Sequence, residues 1–287
     1  MLCLELCWTA LASTALSPSC PRAPTMHRRR QLGQYFTPPE VVDLALAVLG
    51  WLQPELVQGT LLDPSCGEGA FIRGALRAGF APDRLYGLDS DPAMVPVWRA
   101  SGLLARGPTP RLGIADGLAG GGRGQFDVVA GNPPFAGTMS LLSQLTIPGL
   151  DHGTFPDSRG RARTSLPREL WFLQRSLGLL RPGGLLALVL PEGVLANRRW
   201  RDLRAGVLAA NQVEAIIGLP RRTFRASRTT VKTCLVIARQ QPPAPGHQVS
   251  LAELDANELA GGPEELLAAW GRAEVRAEGC PWERGPA

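Results

Sequence analysis

Lysine is nearly missing from this chain. Of 30 basic side chains in 287 residues, only Lys232 is a lysine, and the rest are arginines. The formal charge of +5 favours an anionic partner, but an arginine bias beside 33 glycines and 26 prolines reads as a GC-rich genome as much as selection for nucleic acid. Charge alone therefore carries little weight. Paired cysteines are missing too. Cys3, Cys7, Cys20, Cys66, Cys234 and Cys280 stand apart, with no CxxC spacing and no nearby histidines. That argues against a metal site and for free thiols in a reducing cytoplasmic setting. No stretch reaches the roughly 18 apolar residues of a membrane span. Residues 1–25 are apolar like a secretory signal, yet they lack a basic start and carry Glu5. They read as a disordered tail or a start codon placed too early, with Met26 as the true start.

What is present is enough apolar sequence, 45% of the chain, to bury a core of ordinary density in one large or two small domains. Behind Pro38 and Pro39, "VVDLALAVLGWL" has helical apolar spacing, and proline suits a helix start. Then come short apolar runs at 60–63, 84–89, 111–116, 126–131, 183–191, 213–220 and 231–239, separated in part by helix-length segments. This alternation predicts an α/β fold with a mostly parallel sheet and helices on both faces, in which ligands gather at the carboxyl ends of the strands. Residues 136–166 form one long Gly/Pro/Ser-rich break that holds Arg159, Arg161 and Arg163. A loop of that length is functional or disordered. The reading gives one domain over 26–240, followed at 241–287 by a linker and a short helical tail.

Three strand ends carry acidic groups. The first closes in "DPSCGEGAF", where Gly67 and Gly69 allow a tight backbone turn while Asp63 and Glu68 place carboxylates where a pyrophosphate needs bare amides. An acidic glycine loop suits a cation. Asp89 ends the second strand 26 residues after Asp63, the usual interval for a carboxylate that takes a ribose diol. Asp116 ends the third and offers an acceptor to an exocyclic amine. Any one of these could be a turn or a helix cap. In this order they describe a cationic nucleoside with an amino acid end and no phosphates, which S-adenosylmethionine fits.

The fourth strand ends in "GNPPF". Proline fixes its own φ and pushes the residue before it toward extended geometry. The carbonyls of the Asn132 side chain and the Pro133 backbone are thereby stiffened and can converge on the two hydrogens of an NH₂ group. Holding both hydrogens favours a pyramidal nitrogen and concentrates its lone pair, so no strong base is needed. Phe135 supplies a face for a planar base. The plain alternative is a rigid turn followed by a core phenylalanine.

These motifs, with "GQYFTP" ahead of them and "LPRRTFRASRTTVKTCLVIAR" behind, make residues 31–240 resemble the gamma-type DNA adenine-N6 methyltransferases, which include the modification subunits of type I restriction systems. The resemblance implies a Rossmann-like class I methyltransferase fold, with a seven-stranded sheet whose last strand is antiparallel. It assigns Tyr35, Phe36 and Thr37 to the methionine end of S-adenosylmethionine, Asp63 to its amino group, Asp89 to its ribose and Asp116 to its adenine. Asn132, Pro133 and Phe135 would hold an adenine flipped out of DNA, and Phe224 would stack on its other face. Thr230 stands where relatives tend to have glycine, which leaves the stacking residue open. The arginines at 159, 161 and 163 are candidates for phosphate contacts.

Two other readings compete. One is methylation of a protein glutamine amide, which poses the same chemical problem but does not account for "GQYFTP" or the late "VKT". The other is a degenerate subunit that binds DNA without transferring methyl groups. Sequence-specific readout needs a surface that reaches base edges, and the 47 residues after 240 are too few for the usual recognition domain. A separate specificity subunit, a missing recognition domain or weak sequence preference is therefore expected, with DNA as partner and no membrane.

Overall fold

The computed structural model describes residues 36–105, 107–119, 123–135, 138–140, 165–225 and 231–272. Tyr35, residues 1–25, Thr230 and the three arginines of the long loop lie outside the described residues.

The chain enters through α1 (Pro39–Leu52), started by prolines and with Glu40 in its first turn. Val41, Val42, Leu44, Ala45, Leu46, Val48 and Leu49 are buried, so one broad stripe of the helix faces the core. It ends where Gln53 turns extended ahead of Pro54. β1 (Leu61–Asp63), α2 (Ala70–Arg77), β2 (Leu85–Asp89), α3 (Met94–Ala100), β3 (Arg111–Ile114) and β4 (Phe126–Gly131) follow; β1, β2 and β3 pair in parallel outward to one edge, and β4 pairs in parallel with β1 on its other side. Beyond β4 come a short antiparallel pair, β5 (Thr138–Ser140) with β6 (Ser165–Pro167), then α4 (Arg168–Leu179), β7 (Leu180–Pro191), α5 (Glu192–Ala196), α6 (Arg201–Ala210), β8 (Gln212–Gly218) and β9 (Thr233–Arg239). β10 (Ser250–Glu253), α7 (Ala256–Gly261) and α8 (Glu264–Arg272) complete the described chain.

Among the described residues the main sheet has eight strands in the order β10-β8-β9-β7-β4-β1-β2-β3. All neighbours run parallel except β9, which is antiparallel to both β7 and β8. All seven apolar runs read from the sequence become strands of this sheet. The count is eight because Ser250–Glu253 adds β10 parallel to β8, and there Ser250 pairs with Ala215 and Glu253 with Gly218. Residues assigned to the linker and tail thus extend the main sheet, and α7 packs on α1. The half-exposed alternation of "SLAE" is too short to stand out beside the buried runs. The ends of the long break at 136–166 are pinned together by the β5–β6 pair.

The central strands are buried on both faces, and their side chains alternate between two cores. Leu185, Ala187 and Val189 of β7 join α1, α2 and α3, while Leu186, Leu188 and Leu190 join α4 and α6. Burial of each such leucine or valine contributes about 1.5–3 kcal/mol. No described helix is long and apolar enough to cross a membrane. Leu188 is fully buried at mid-sheet, so Leu188→Ala is expected to destabilise the protein by about 2–5 kcal/mol in urea unfolding, through lost transfer energy plus a cavity.

Candidate active site

The parallel register places the carboxyl ends of β1, β2, β3 and β4 along one edge. A cavity of about 230 Å³ opens there, bordered among others by Phe36, Thr37, Asp63, Gly67, Asp89, Asp116 and Asn132. Seven residues singled out from five separate segments of sequence therefore meet around one space. Gly69, Pro133, Phe135 and Phe224 are not in its lining.

The glycine turn is tightly pinned. Gly67 and Gly69 have φ of 50° and 86°, a left-handed region that favours glycine. The Gly67 amide donates to Asp89 Oδ2 at 2.9 Å, and its carbonyl accepts from the indole of Trp98 at 2.7 Å. The Cys66 amide donates to the Leu88 carbonyl of β2 at 2.8 Å. At Gly117 a Cβ would sit 1.8 Å from the Pro64 carbonyl oxygen, so the turn after β3 can lie against the glycine loop only without a side chain. Sequence reading missed Trp98, because nothing in "VWRA" distinguishes a ligand-loop anchor from a core aromatic.

The carboxylates differ in environment. Asp63 is buried at the end of β1, accepts only the Ser65 amide at 3.0 Å, and has no basic partner among the described residues. Burial pushes its pKa up to about 8; the Ser65 amide opposes this and the negative charge of Asp89 adds to it. Asp89 is also raised by burial, moderated by the amides of Asp91 and Gly67. Asp116 is exposed, and its Oδ1 accepts the Leu118 amide at 3.0 Å in a local turn at the strand end.

β4 delivers Asn132. Just before it, a Cβ on Gly131 would lie 2.7 Å from Asp63 Oδ1, so the absence of a side chain there lets the buried carboxyl approach β4. Asn132 Nδ2 donates to Thr37 Oγ1 at 3.0 Å, whereas Asn132 Oδ1 is buried without a hydrogen-bond partner. Leaving an acceptor buried and unused costs about 1–3 kcal/mol, which a ligand donor would recover. Phe135 and Phe224 meet edge to face, with ring centroids 6.5 Å apart and planes at 83°. Phe224 is only 2% exposed and belongs to the core that includes α1. As arranged, the two rings leave no parallel slot for a stacked base, so Phe224 stands here as a packed aromatic.

Arg168 and Phe172, at the start of α4, also border the cavity. No sequence signal marked them, since they enter through the fold after the long break. Arg198, Arg199 and Arg201 lie beyond the carboxyl end of β7, and Arg221, Arg222 and Arg225 beyond that of β8; all six are exposed on the same edge of the sheet as the cavity.

The cavity fits S-adenosylmethionine. Asp63, buried without a counter-ion among the described residues, and the acids at the next two strand ends suit a ligand that brings a cation and hydrogen-bond donors. The fold is that of a Rossmann-like class I methyltransferase, with an Asn-Pro-Pro-Phe segment at the end of its fourth strand. The chain belongs to the N-6 DNA Methylase family, whose model matches residues 24–260. It is 25% identical over 218 residues to the type II methyltransferase M.VspI of Vibrio sp., covering 75% of this chain and 50% of that protein. To the type II methyltransferase M.TthHB8I of Thermus thermophilus it is 29% identical over 198 residues, covering 68% of this chain and 42% of the relative. The type I restriction-modification methyltransferase subunit of Streptococcus thermophilus shares the fold, with a TM-score of 0.66 at 22% identity over 83% of this chain and 52% of that one. The chain thus spans about half the length, or less, of these relatives.

Asp63 gives a test with opposite signs for stability and binding. Its folded pKa of about 8 lies above the unfolded value of 3.8, so between those values the folded state holds the extra proton, and this group's contribution to stability falls as pH rises toward 8. Asp63→Asn is expected to raise the neutral-pH melting temperature of the ligand-free protein by on the order of a few degrees. The same change should abolish S-adenosylmethionine binding in calorimetry. In the wild type, binding near pH 7 should release a proton, seen as a heat that depends on the buffer.

Proposed function

We propose that this chain transfers a methyl group from S-adenosylmethionine to the exocyclic N6 of an adenine turned out of DNA. The observation that carries the reading is Asn132: one edge of its amide is engaged by Thr37, and its carbonyl oxygen is buried and unused at the border of an acid-lined cavity. The family membership and the names of the relatives support it.

In this reading Asp63 ionises to hold the cofactor's amino group, Asp89 takes the ribose and Asp116 the adenine. Phe36 and Thr37 border the methionine end, with Tyr35 assigned beside them. When bound, S-adenosylmethionine supplies an electrophilic methyl group on a positive sulfur. Asn132 Oδ1 and the Pro133 carbonyl accept the two hydrogens of the target amine, concentrating the nitrogen lone pair on the side away from the acceptors. The new N–C bond would form as the S–C bond breaks, leaving a neutral thioether, and the acidic methylated nitrogen would give its extra proton to solvent, so the residues need supply no strong base. The base cannot be reached inside a duplex and must be flipped out, at a cost of a few kcal/mol. Phe135 stacks on it once the edge of Phe224 withdraws. The exposed arginines after β7 and β8 take the DNA phosphates. Sequence readout comes from outside this sheet, through a further domain or a separate specificity subunit, consistent with a chain that spans half of its relatives.

Incubation with tritiated cofactor and unmethylated DNA, followed by nucleoside analysis, should place label in N6-methyladenine; label in a protein amide would overturn the reading. Asn132→Ala should bind the cofactor normally while turnover falls by on the order of 10²- to 10³-fold. For the phosphate contacts, the double change Arg221→Ala and Arg222→Ala should weaken binding to all DNA sequences alike. It should also reduce the slope of log K against log salt by about two. An unchanged slope would remove these arginines from the interface.

A further inference from the structure

Thr37 and Asn132 are 95 residues apart in the chain, yet they form a direct side-chain hydrogen bond at 3.0 Å. Thr37 is 5% exposed. It precedes Pro38 and Pro39, where the backbone is held extended just before α1 begins. Its branched side chain has few rotamers, and α1 beneath it is anchored by its buried stripe. Asn132 is likewise held before Pro133. The contact therefore joins two stiff mounts.

A primary amide has nearly the same outline after a half-turn about its Cβ–Cγ bond, but the turn exchanges an acceptor for a donor. Facing an amine, the carbonyl can accept a hydrogen, whereas the NH₂ edge can only oppose another donor. The amide must therefore be held in plane, and its NH₂ edge must be satisfied elsewhere while the carbonyl serves the substrate. Thr37 Oγ1 provides that acceptor. A hydroxyl can bond either edge of the amide, so it fixes the plane, and an incoming amine then selects the carbonyl.

We propose that Thr37 is a positioning residue that orients the Asn132 amide toward the target amine, a role distinct from lining the methionine end of the cofactor. The proposal rests on the reading of Asn132 as the holder of that amine. Valine at 37 keeps the shape but leaves Asn132 Nδ2 buried without an acceptor. Serine keeps the acceptor.

The test uses the full chain and the variants Thr37→Val and Thr37→Ser. Asn132, Asn197, Asn211 and Asn257 are the only asparagines in the sequence, so selective ¹⁵N-asparagine labelling gives few side-chain NH₂ signals, with the Asn132 pair identified by its loss in Asn132→Ala. That pair should exchange slowly with solvent in the wild type, broaden or exchange fast in Thr37→Val, and recover in Thr37→Ser. Turnover is compared at saturating S-adenosylmethionine, with affinity measured separately by calorimetry, because Thr37 also borders the cofactor. Turnover should fall on the order of 10- to 100-fold in Thr37→Val and return with serine. An unchanged Asn132 signal in Thr37→Val overturns the proposal. So does a serine variant as impaired as valine, or turnover in Thr37→Val that is normal once the cofactor saturates. A wild type that makes no N6-methyladenine while the amide signals behave as expected sinks the proposed reaction and leaves the Thr37–Asn132 coupling standing.

Discussion

Parallel pairing of β1 with β2 on one side and β4 on the other determines where Asp63, Asp89 and Asn132 can lie in the cleft. Leu61 is in register with both Leu85 and Val128, so Asp63, Asp89 and the Asn132 segment emerge at nearby heights on one edge. Ladder hydrogen bonds run out at those ends, and backbone amides become available to carboxylates. Ser65, Gly67, Asp91 and Leu118 all donate there. The cleft is thus a product of sheet geometry, with side chains chosen to suit it.

Packing and polarity trade against each other at this edge. The buried Asp63 carboxyl fits only because Gly131 leaves room, and the turn at Gly117 lies within reach of Pro64 only because it carries no Cβ. Glycine here serves close approach as much as backbone freedom. The cost of the arrangement is carried by Asp63, buried without a counter-ion among the described residues, and by the unused oxygen of Asn132. Sites that hold groups ready for a ligand commonly sacrifice stability in this way.

The sequence made much of this legible, for identifiable reasons. Buried parallel strands are continuous apolar runs, so seven of the eight strands stood out. Acidic residues at their ends could be ordered by spacing alone. β10 escaped because it is a short edge strand whose exposure alternates. Arg168, Phe172 and Trp98 escaped because their part in the site depends on how helices pack against the sheet, which no local pattern records. Phe224 illustrates the reverse: its motif suggests a stacking face, while the packed ring lies edge-on to Phe135 in the core.

The hydrogen bond from Gly67 to Asp89 has a consequence for competition in the cell. In a phosphate-binding loop the amides stay available for the anion, whereas here the Gly67 amide is already committed to a carboxylate. ATP shares an adenosine with S-adenosylmethionine, but in the proposed placement its triphosphate tail would run toward the methionine end, beside Asp63 and Glu68, with no Gly67 amide left to receive it. The turn that would admit an adenosine with a cationic tail thus carries, in the same hydrogen bond, a bias against one with an anionic tail.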